Sequence, residues 1–149
     1  PQTSFQLLNI LEGAVKRGTG KSLNSINYPL AGKTGTTNDS KDLWFFGMTP
    51  KFVVGVYVGY DSPKKIGYRE TGSSVALPVF KSLINDYLND YEISNEDEFF
   101  IPNNLILKKI DPDTGDFFSD NNAIIEYFTK DQLETINNLN KVDNIGGIN

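Results

Sequence analysis

Cysteine and histidine are both absent from this sequence of 149 residues. Without cysteine, the chain has no disulfide framework and no thiolate nucleophile. Without histidine, it cannot build a Ser-His-Asp triad or a His-ligated zinc site from its own residues. Serine chemistry that involves this chain therefore needs lysine as its proton carrier, a role open to lysine when burial or a neighbouring cation lowers its pKa. We predict no cofactor and no metal.

Long apolar segments are also missing. No run approaches the ~18 apolar residues that are needed to cross a bilayer, and no basic-then-apolar leader stands at the start. We therefore expect this segment to make no contact with a membrane. Because the first residue is Pro1 and not methionine, we interpret the chain as a fragment or a processed chain. If the parent protein is exported or anchored, we expect its targeting segment to lie upstream.

The charge is acidic overall, at −5, and it is unevenly distributed. Residues 1–90 contain ten Lys and Arg against seven Asp and Glu, whereas residues 91–149 contain four against twelve. The acidic balance argues against nucleic acid as a partner, because binding phosphates requires a basic surface. The mildly basic first part is compatible with an anionic substrate.

The first part of the chain shows the periodicity of an α+β domain. Apolar residues at helical spacing predict a helix over about residues 4–17 and a second one over about 74–88. Between them, a short segment of small residues bounded by Pro29 and by residues 38–40 predicts a strand over 30–37. Aromatic and β-branched segments predict two further strands, over 43–48 and 52–60. Because the links are short, we expect these three strands to pair as an antiparallel sheet that is flanked by the helices.

The composition changes near residue 92. We divide the chain there into a domain over residues 1–92 and an acidic, Asn-rich extension over residues 93–149. Within the extension, residues 105–118 predict a hairpin that reverses at 111–115, where Asp, Pro and Gly favour a turn. The Gly146-Gly147 end is predicted to be disordered.

Gly32-Lys33-Thr34-Gly35-Thr36 is the segment that carries chemical information. One interpretation is a phosphate-binding loop of the G-x-x-x-x-G-K-[ST] type. That loop needs a glycine at position 27, where this chain has Asn27, and it needs a helix after the threonine. Here a second glycine and more threonines follow, and these favour a strand. The nucleotide interpretation is therefore disfavoured.

The second interpretation is a resemblance to the Lys-Thr-Gly strand of serine acyl-transferases, which forms the wall of a cleft and presents alternate side chains to it. Lys33 would supply a fixed positive charge near a reacting serine and a substrate carboxylate, which the hydroxyls of Thr34 and Thr36 would also bind. Gly35 would let the substrate lie against the backbone. The backbone N–H of Thr36 would stabilise a developing oxyanion, a contribution typically worth ~10²–10³ in rate.

Further segments accompany this motif. They are Arg17-Gly18-Thr19-Gly20, Asn38-Asp39, Asp42-Leu43-Trp44-Phe45-Phe46-Gly47, Val56-Tyr57-Val58-Gly59-Tyr60-Asp61, and Thr71-Gly72 with Ala76-Leu77-Pro78. Together with the motif they cover most of residues 5–88. The whole resembles the class A penicillin-binding proteins, a family in which Lys-Thr-Gly is a known signature.

The resemblance implies a partial serine β-lactamase/transpeptidase-like fold and a peptidoglycan D,D-transpeptidase. This enzyme would form an acyl-serine from a stem peptide ending in D-Ala-D-Ala, pass the acyl group to a neighbouring amine, and be acylated by β-lactams. Lys33, Thr34 and Thr36 would take the family's polar roles, with Gly35 as the spacer. A class A protein would also carry a glycosyltransferase domain and a membrane anchor, and would work at the periplasmic, extracytoplasmic face of the inner membrane.

The family's S-x-x-K and S-x-N motifs should precede Lys-Thr-Gly, and suitably placed copies are missing from the sequence. Ser62-Pro63-Lys64-Lys65 fits the first pattern but follows the motif; Ser22-Leu23-Asn24, Ser25-Ile26-Asn27 and Ser119-Asp120-Asn121 fit the second at the wrong distance or in the wrong order. We assign all four matches to chance. We expect the nucleophile in the upstream part of the same chain, which thereby becomes a partner of this segment, and predict that the isolated segment is inactive.

Two other functions stay open at this point. The missing nucleophile and the acidic extension would suit a non-catalytic interaction module. Lys-Thr-Gly also occurs in serine β-lactamases, although these should end shortly after the last helix. Trp44, Phe45 and Phe46 are interpreted as packing residues, and Asp42 as a residue that fixes a hairpin loop.

Overall fold

The structure is a computed structural model that describes residues 1–92 and 97–145. Within these ranges the chain forms three α-helices and five β-strands. The helices are α1 (Gln2–Lys16), α2 (Leu77–Asp90) and α3 (Lys130–Ile145), and the strands are β1 (Ala31–Thr36), β2 (Asp42–Met48), β3 (Val53–Gly59), β4 (Ile106–Ile110) and β5 (Ile124–Phe128). The chain divides into a sheet unit, residues 10–100, and a C-terminal unit, which joins residues 1–9 to the chain from residue 101 onward.

In the sheet unit, β1, β2 and β3 pair antiparallel in that order. Each of the three predicted strands agrees with the observed one to within one residue at either end. The predicted α+β class with an antiparallel sheet is therefore confirmed. The strand order leaves β1, which carries the Lys-Thr-Gly motif, at an edge of the sheet.

Helix α2 covers one face of this sheet. Phe45 on β2 and Phe80 on α2 are fully buried, with ring centroids 5.0 Å apart. Gly47, two positions further along β2, has no side chain, and a Cβ there would overlap the Phe80 ring. The helix can therefore approach the strand closely. Leu77 and Ile84 of α2 are also buried in this core.

One π-helical turn, Gly72–Ala76, precedes α2. It begins with a reciprocal capping box, in which the Ser74 N–H donates to Thr71 Oγ1 at 3.3 Å and the Thr71 N–H donates to Ser74 Oγ at 2.9 Å. The α-helix proper starts at Leu77, so Pro78 lies in the first turn, where no intrahelical N–H is needed. The predicted start at residue 74 thus falls in the π turn.

In the C-terminal unit, β4 pairs antiparallel with β5. The chain reverses at residues 111–115, as the sequence predicts, with the Gly115 N–H donating to the Asp111 carbonyl at 2.9 Å. The predicted return strand is reduced to a single bridge between Ile110 and Phe117. Regular pairing is found instead at β5, because polar residues 119–122 separate the bridge from the next β-branched run, which begins at Ile124.

The sequence did not predict α3. This helix starts with a capping box, because the Thr129 N–H donates to Gln132 Oε1 at 2.8 Å and the Gln132 N–H donates to Thr129 Oγ1 at 3.3 Å. The predicted disorder at Gly146-Gly147 lies outside the described residues. The division into a family domain over 1–92 and an extension over 93–149 stays a prediction.

The start of α1 belongs to the C-terminal unit. Gln6 Nε2 donates to the Tyr127 carbonyl at 2.6 Å, and Asn9 Nδ2 donates to the Ile125 carbonyl at 3.3 Å. Phe5 packs edge-to-face on Tyr127, with ring centroids 5.0 Å apart. The two amides therefore occupy acceptors on β5 that a further strand would otherwise fill.

Candidate functional site

The motif on β1 presents its side chains to both faces of the sheet, since successive side chains of a strand alternate. Lys33 and Gly35 share one face. Thr34 and Thr36 share the opposite face, on which Phe45 of the neighbouring strand is buried. The two hydroxyls of the motif therefore stand two positions apart on the same side of one strand.

Backbone groups of β1 alternate as well. The Thr37 N–H donates to the Asp42 carbonyl at 3.0 Å, across the hairpin that joins β1 to β2. Since residue 37 points its N–H to β2, residues 36 and 34 point theirs the other way. The N–H and C=O groups of Thr36 and Thr34 are therefore directed away from β2, to the edge of the sheet. The Thr36 N–H is thus directed to the side of the strand where a ligand can lie.

The Lys33 side chain is exposed, and its ammonium group lies beside the next residue of β1, Thr34. Nζ donates to the Thr34 carbonyl at 3.1 Å and lies 3.4 Å from Thr34 Oγ1. Because that carbonyl is one of the edge groups, the positive charge stands at the same edge as the Thr36 N–H. An anion beside this edge would meet a cation, a hydroxyl and an N–H.

Each of the two hydroxyls has a polar neighbour from a different loop. Thr19 Oγ1 lies 3.3 Å from Thr34 Oγ1, and the Gly72 N–H donates to Thr36 Oγ1 at 3.0 Å. Sequence reasoning missed both contacts. Thr19 and Gly72 do lie in sequence segments that resemble those of the family. However, each is separated from its contact by 15 or 36 residues, and the sequence does not indicate which residues meet over such a separation.

Aromatic rings line the face that carries Lys33 and Gly35. Trp44 stacks on Phe46 with ring centroids 5.3 Å apart, and its ring lies 4.7 Å from that of Tyr57. A Cβ at Gly35 would lie 3.2 Å from the Trp44 Cβ, so the glycine relieves crowding at this point. The predicted packing role of the aromatic segment is consistent with these contacts and with the buried ring on the opposite face.

Asp42 fixes the hairpin after the motif, as the sequence predicts. Its N–H donates to Thr37 Oγ1 at 2.8 Å, and its carboxylate accepts from the Tyr57 hydroxyl at 2.9 Å. That hydrogen bond raises the pKa of Tyr57. The hairpin loop has positive φ at Asp39 and Ser40, 63° and 52°, a conformation that short polar residues tolerate.

The serines that fit the S-x-x-K or S-x-N pattern by sequence lie in an exposed loop or make contacts that hold the fold together. Ser62 is exposed in the loop after β3. Ser22 and Asn24 lie in a short 3-10 helix, Lys21–Ser25, where the Ser22 carbonyl accepts from Lys81 Nζ at 2.6 Å and the Asn24 amide donates to the Lys16 carbonyl at 3.0 Å. These contacts are structural, which agrees with assigning the patterns to chance.

Two findings concern the described part of the chain as a whole. In this part of the chain, no three aspartate or glutamate side chains form a group that could hold a metal ion. None of the helices within residues 1–92 and 97–145 is long and apolar enough to cross a bilayer.

Comparison with known proteins decides the family. A sequence model described as the penicillin binding protein transpeptidase domain matches residues 1–85. The chain belongs to this transpeptidase family. The match includes the whole three-stranded sheet and most of α2, and it favours the transpeptidase interpretation over the β-lactamase one.

The relatives are penicillin-binding proteins 1A. The Rickettsia conorii protein is 40% identical over 142 residues, which cover 95% of this chain and 18% of the relative. The Pseudomonas aeruginosa protein is 40% identical over 115 residues, which cover 76% of this chain and 14% of the relative. The chain thus spans about a fifth or less of the curated relatives it matches.

A solved structure agrees with the sequence relatives. The crystal structure of penicillin-binding protein 1A from Haemophilus influenzae matches with a TM-score of 0.72 at 29% identity, over 87% of this chain and 20% of that chain. The predicted resemblance to class A penicillin-binding proteins is confirmed.

Proposed function

We propose that this chain forms one wall of the cleft of a serine-type peptidoglycan D,D-transpeptidase. Membership of the family supports the reaction class. The observation that carries the assignment of the wall is the edge of β1, where the Lys33 ammonium, 3.1 Å from the Thr34 carbonyl, stands beside the edge-directed N–H of Thr36. This arrangement suits an extended peptide that ends in a carboxylate and reacts at a nearby carbonyl.

In the proposed reaction, a serine from the upstream part of the same chain attacks the carbonyl carbon of the penultimate residue of a stem peptide ending in D-Ala-D-Ala. An ester bond to the serine forms, the peptide bond breaks, and the terminal D-Ala leaves with a proton. An amine of a neighbouring stem peptide then attacks the ester. A new peptide bond forms, and the serine oxygen recovers a proton that the amine gives up.

Each residue of the motif has a distinct role in this proposal. Lys33 attracts the substrate carboxylate and provides positive charge near the serine. The hydroxyls of Thr34 and Thr36 donate to the carboxylate, Gly35 leaves room for the substrate backbone, and the Thr36 N–H stabilises the oxyanion of the tetrahedral intermediate.

β-Lactams are the second class of ligand in this proposal. A penicillin carries a carboxylate and a reactive amide, so it would bind the same wall and acylate the same serine. We assign the protein that contains this chain to the extracytoplasmic face of the inner membrane, with a glycosyltransferase domain and a membrane anchor outside these 149 residues.

Substitution of Lys33 in the full-length protein tests the proposal. We expect Lys33→Ala to slow labelling by a fluorescent penicillin by on the order of 10²-fold, because an electrostatic contact to the reacting group is lost. The measurement is the rate of appearance of the fluorescent band at a fixed penicillin concentration. Lys21→Ala is the matched control, since Lys21 is an exposed lysine of the same unit, and it should label at the normal rate. Equal labelling rates for the two variants would contradict the proposal.

A further inference from the structure

The two threonine hydroxyls of the motif are held from outside the strand. Thr36 Oγ1 accepts a hydrogen bond from the Gly72 N–H at 3.0 Å. An N–H group can only donate, so the Thr36 oxygen is the acceptor and its own proton is free to point elsewhere. The contact therefore occupies one lone pair of the Thr36 oxygen and leaves its proton available for a ligand.

Thr34 is surrounded in a similar way. Its Oγ1 lies 3.4 Å from Lys33 Nζ and 3.3 Å from Thr19 Oγ1. An ammonium has only donors, and a hydroxyl oxygen accepts at most two hydrogen bonds. If Thr19 is the second donor, both lone pairs of the Thr34 oxygen are occupied, and its proton is left for a ligand.

The loop around Thr19 is built for close approach to its own helix. The N–H groups of Gly18 and Gly20 both donate to the Ala14 carbonyl, at 3.1 Å and 3.0 Å. A Cβ at Gly20 would lie 2.9 Å from Val15 Cα, and a Cβ at Gly18 would lie 2.9 Å from the Ala14 carbonyl oxygen. The two glycines thus fold the turn tightly against the end of α1 and fix the residue between them.

The turn at Gly72 shows the same tight construction at the other hydroxyl. A Cβ at Gly72 would overlap the Trp44 carbonyl oxygen and lie 2.8 Å from the Gly35 carbonyl oxygen. Both atoms belong to strand backbone and cannot move aside cheaply. The Gly72 N–H can therefore approach the sheet and reach Thr36 Oγ1 only because residue 72 has no side chain.

We propose that Thr19 and the Gly72 N–H are positioning groups that orient the hydroxyls of Thr34 and Thr36 as paired donors for one substrate carboxylate. Residues two positions apart in a strand, such as these threonines, are separated by about 6.6 Å. Two hydrogen bonds of ~2.7 Å, one from each hydroxyl to a carboxylate that lies between them, span most of that distance. This inference rests on the proposed function, because it assumes that the motif binds the carboxylate.

Acylation of the full-length protein by benzylpenicillin and by its methyl ester separates positioning from a general structural effect. The ester has no carboxylate for the hydroxyls to bind. We expect Thr19→Val to lower the second-order acylation rate constant for benzylpenicillin roughly three- to tenfold, the effect of one hydrogen bond, and to change the constant for the ester less than about twofold. Thr19→Ser keeps the hydroxyl and should restore the normal rate.

Further variants place the effect on the Thr34 hydroxyl. In a Thr34→Val background, Thr19→Val should cause no additional loss, because the group that it orients is gone. Thr3→Val, an exposed threonine of α1, is the matched control and should leave both rates unchanged. Gly72→Ala should also slow benzylpenicillin selectively, and should this variant not fold, the Thr19 series decides.

The inference is wrong if Thr19→Val slows the penicillin and its ester equally, slows neither, or is not rescued by Thr19→Ser. Lys33→Ala keeps this result separate from the proposed function. Slow acylation of Lys33→Ala together with a normal Thr19→Val enzyme would remove only the positioning role. Normal acylation of Lys33→Ala would remove the proposed function itself.

Discussion

Tyr28 shows how one buried group couples the stability of the sheet unit to pH. Its side chain is 7% exposed, and its hydroxyl has no hydrogen-bond partner in the part of the chain that the structure describes. Burial, and after it the nearby carboxylate of Asp97, raises the pKa of Tyr28 to about 12. An unfolded tyrosine ionises near pH ~10, so between these values the unfolded chain has lost a proton that the folded chain keeps.

The free energy of unfolding should therefore fall as the pH rises through the window from about 10 to about 12. Denaturant unfolding of a protein that contains this chain, with and without Tyr28→Phe, measures this contribution. All other tyrosines are the same in both proteins, so the difference between the two pH dependences isolates Tyr28.

We expect the phenylalanine variant to lose less stability at alkaline pH. At neutral pH it should be as stable as the parent or more stable, because it removes a buried hydroxyl that has no partner among the described residues. Identical pH slopes for the two proteins would show that the hydroxyl is solvated in the folded state.

Among the elements, β5 depends most clearly on contacts that are distant in sequence. Gln6 and Asn9 of α1 donate to its carbonyls, and Asn9 Nδ2 also donates to Glu126 Oε2 at 2.8 Å. Gln6 Nε2 reaches Gln132 Oε1 at 2.7 Å as well, and Gln132 belongs to the cap of α3. One face of α1 thus holds both the strand and the start of the following helix.

Replacing Gln6 and Asn9 by leucine should loosen β5 selectively. Each lost hydrogen bond costs about 1 kcal/mol of local stability, so we expect hydrogen exchange of the β5 amides to accelerate roughly fivefold per bond. Exchange at β2 in the same protein serves as the internal control, because it lies in the sheet unit. Unchanged exchange at residues 124–128 would show that these amides do not stabilise the strand.

The same contacts explain which elements could be predicted from the sequence. β2 and β3 could be predicted because aromatic and β-branched runs are separated by a short turn, and β1 because its small residues stand between Pro29 and a polar turn. Phe45 and Phe80 close one local core. β5 and α3 follow an Asn-rich, charged stretch, and their partner Gln6 lies more than 100 residues away. No local pattern reports such a contact.

The candidate site likewise contains some residues that the sequence could indicate and one that it could not. Lys33, Thr34, Gly35 and Thr36 could be selected from the sequence because the motif is contiguous and matches a known family signature. Thr19 could not be given a role, because its contact with Thr34 depends on how the turn after α1 is folded against β1.

At the level of the complete protein, the chain matches only a small part of the length of its relatives. It spans 18% of the Rickettsia conorii relative, and β1 lies at an edge of its sheet. The proposed function places the serine nucleophile outside these 149 residues and the anion-binding wall within them. Under this proposal, Ser22 in its short 3-10 helix and the exposed Ser62 have no catalytic role.

Peptide mapping of the full-length protein after acylation by benzylpenicillin tests this division. We expect mass spectrometry to find one acylated serine, located outside these 149 residues, and to find far less of that adduct when Lys33 is replaced by alanine. An acylated serine within these residues, Ser62 included, would contradict the assignment, as would undiminished acylation of the Lys33→Ala protein.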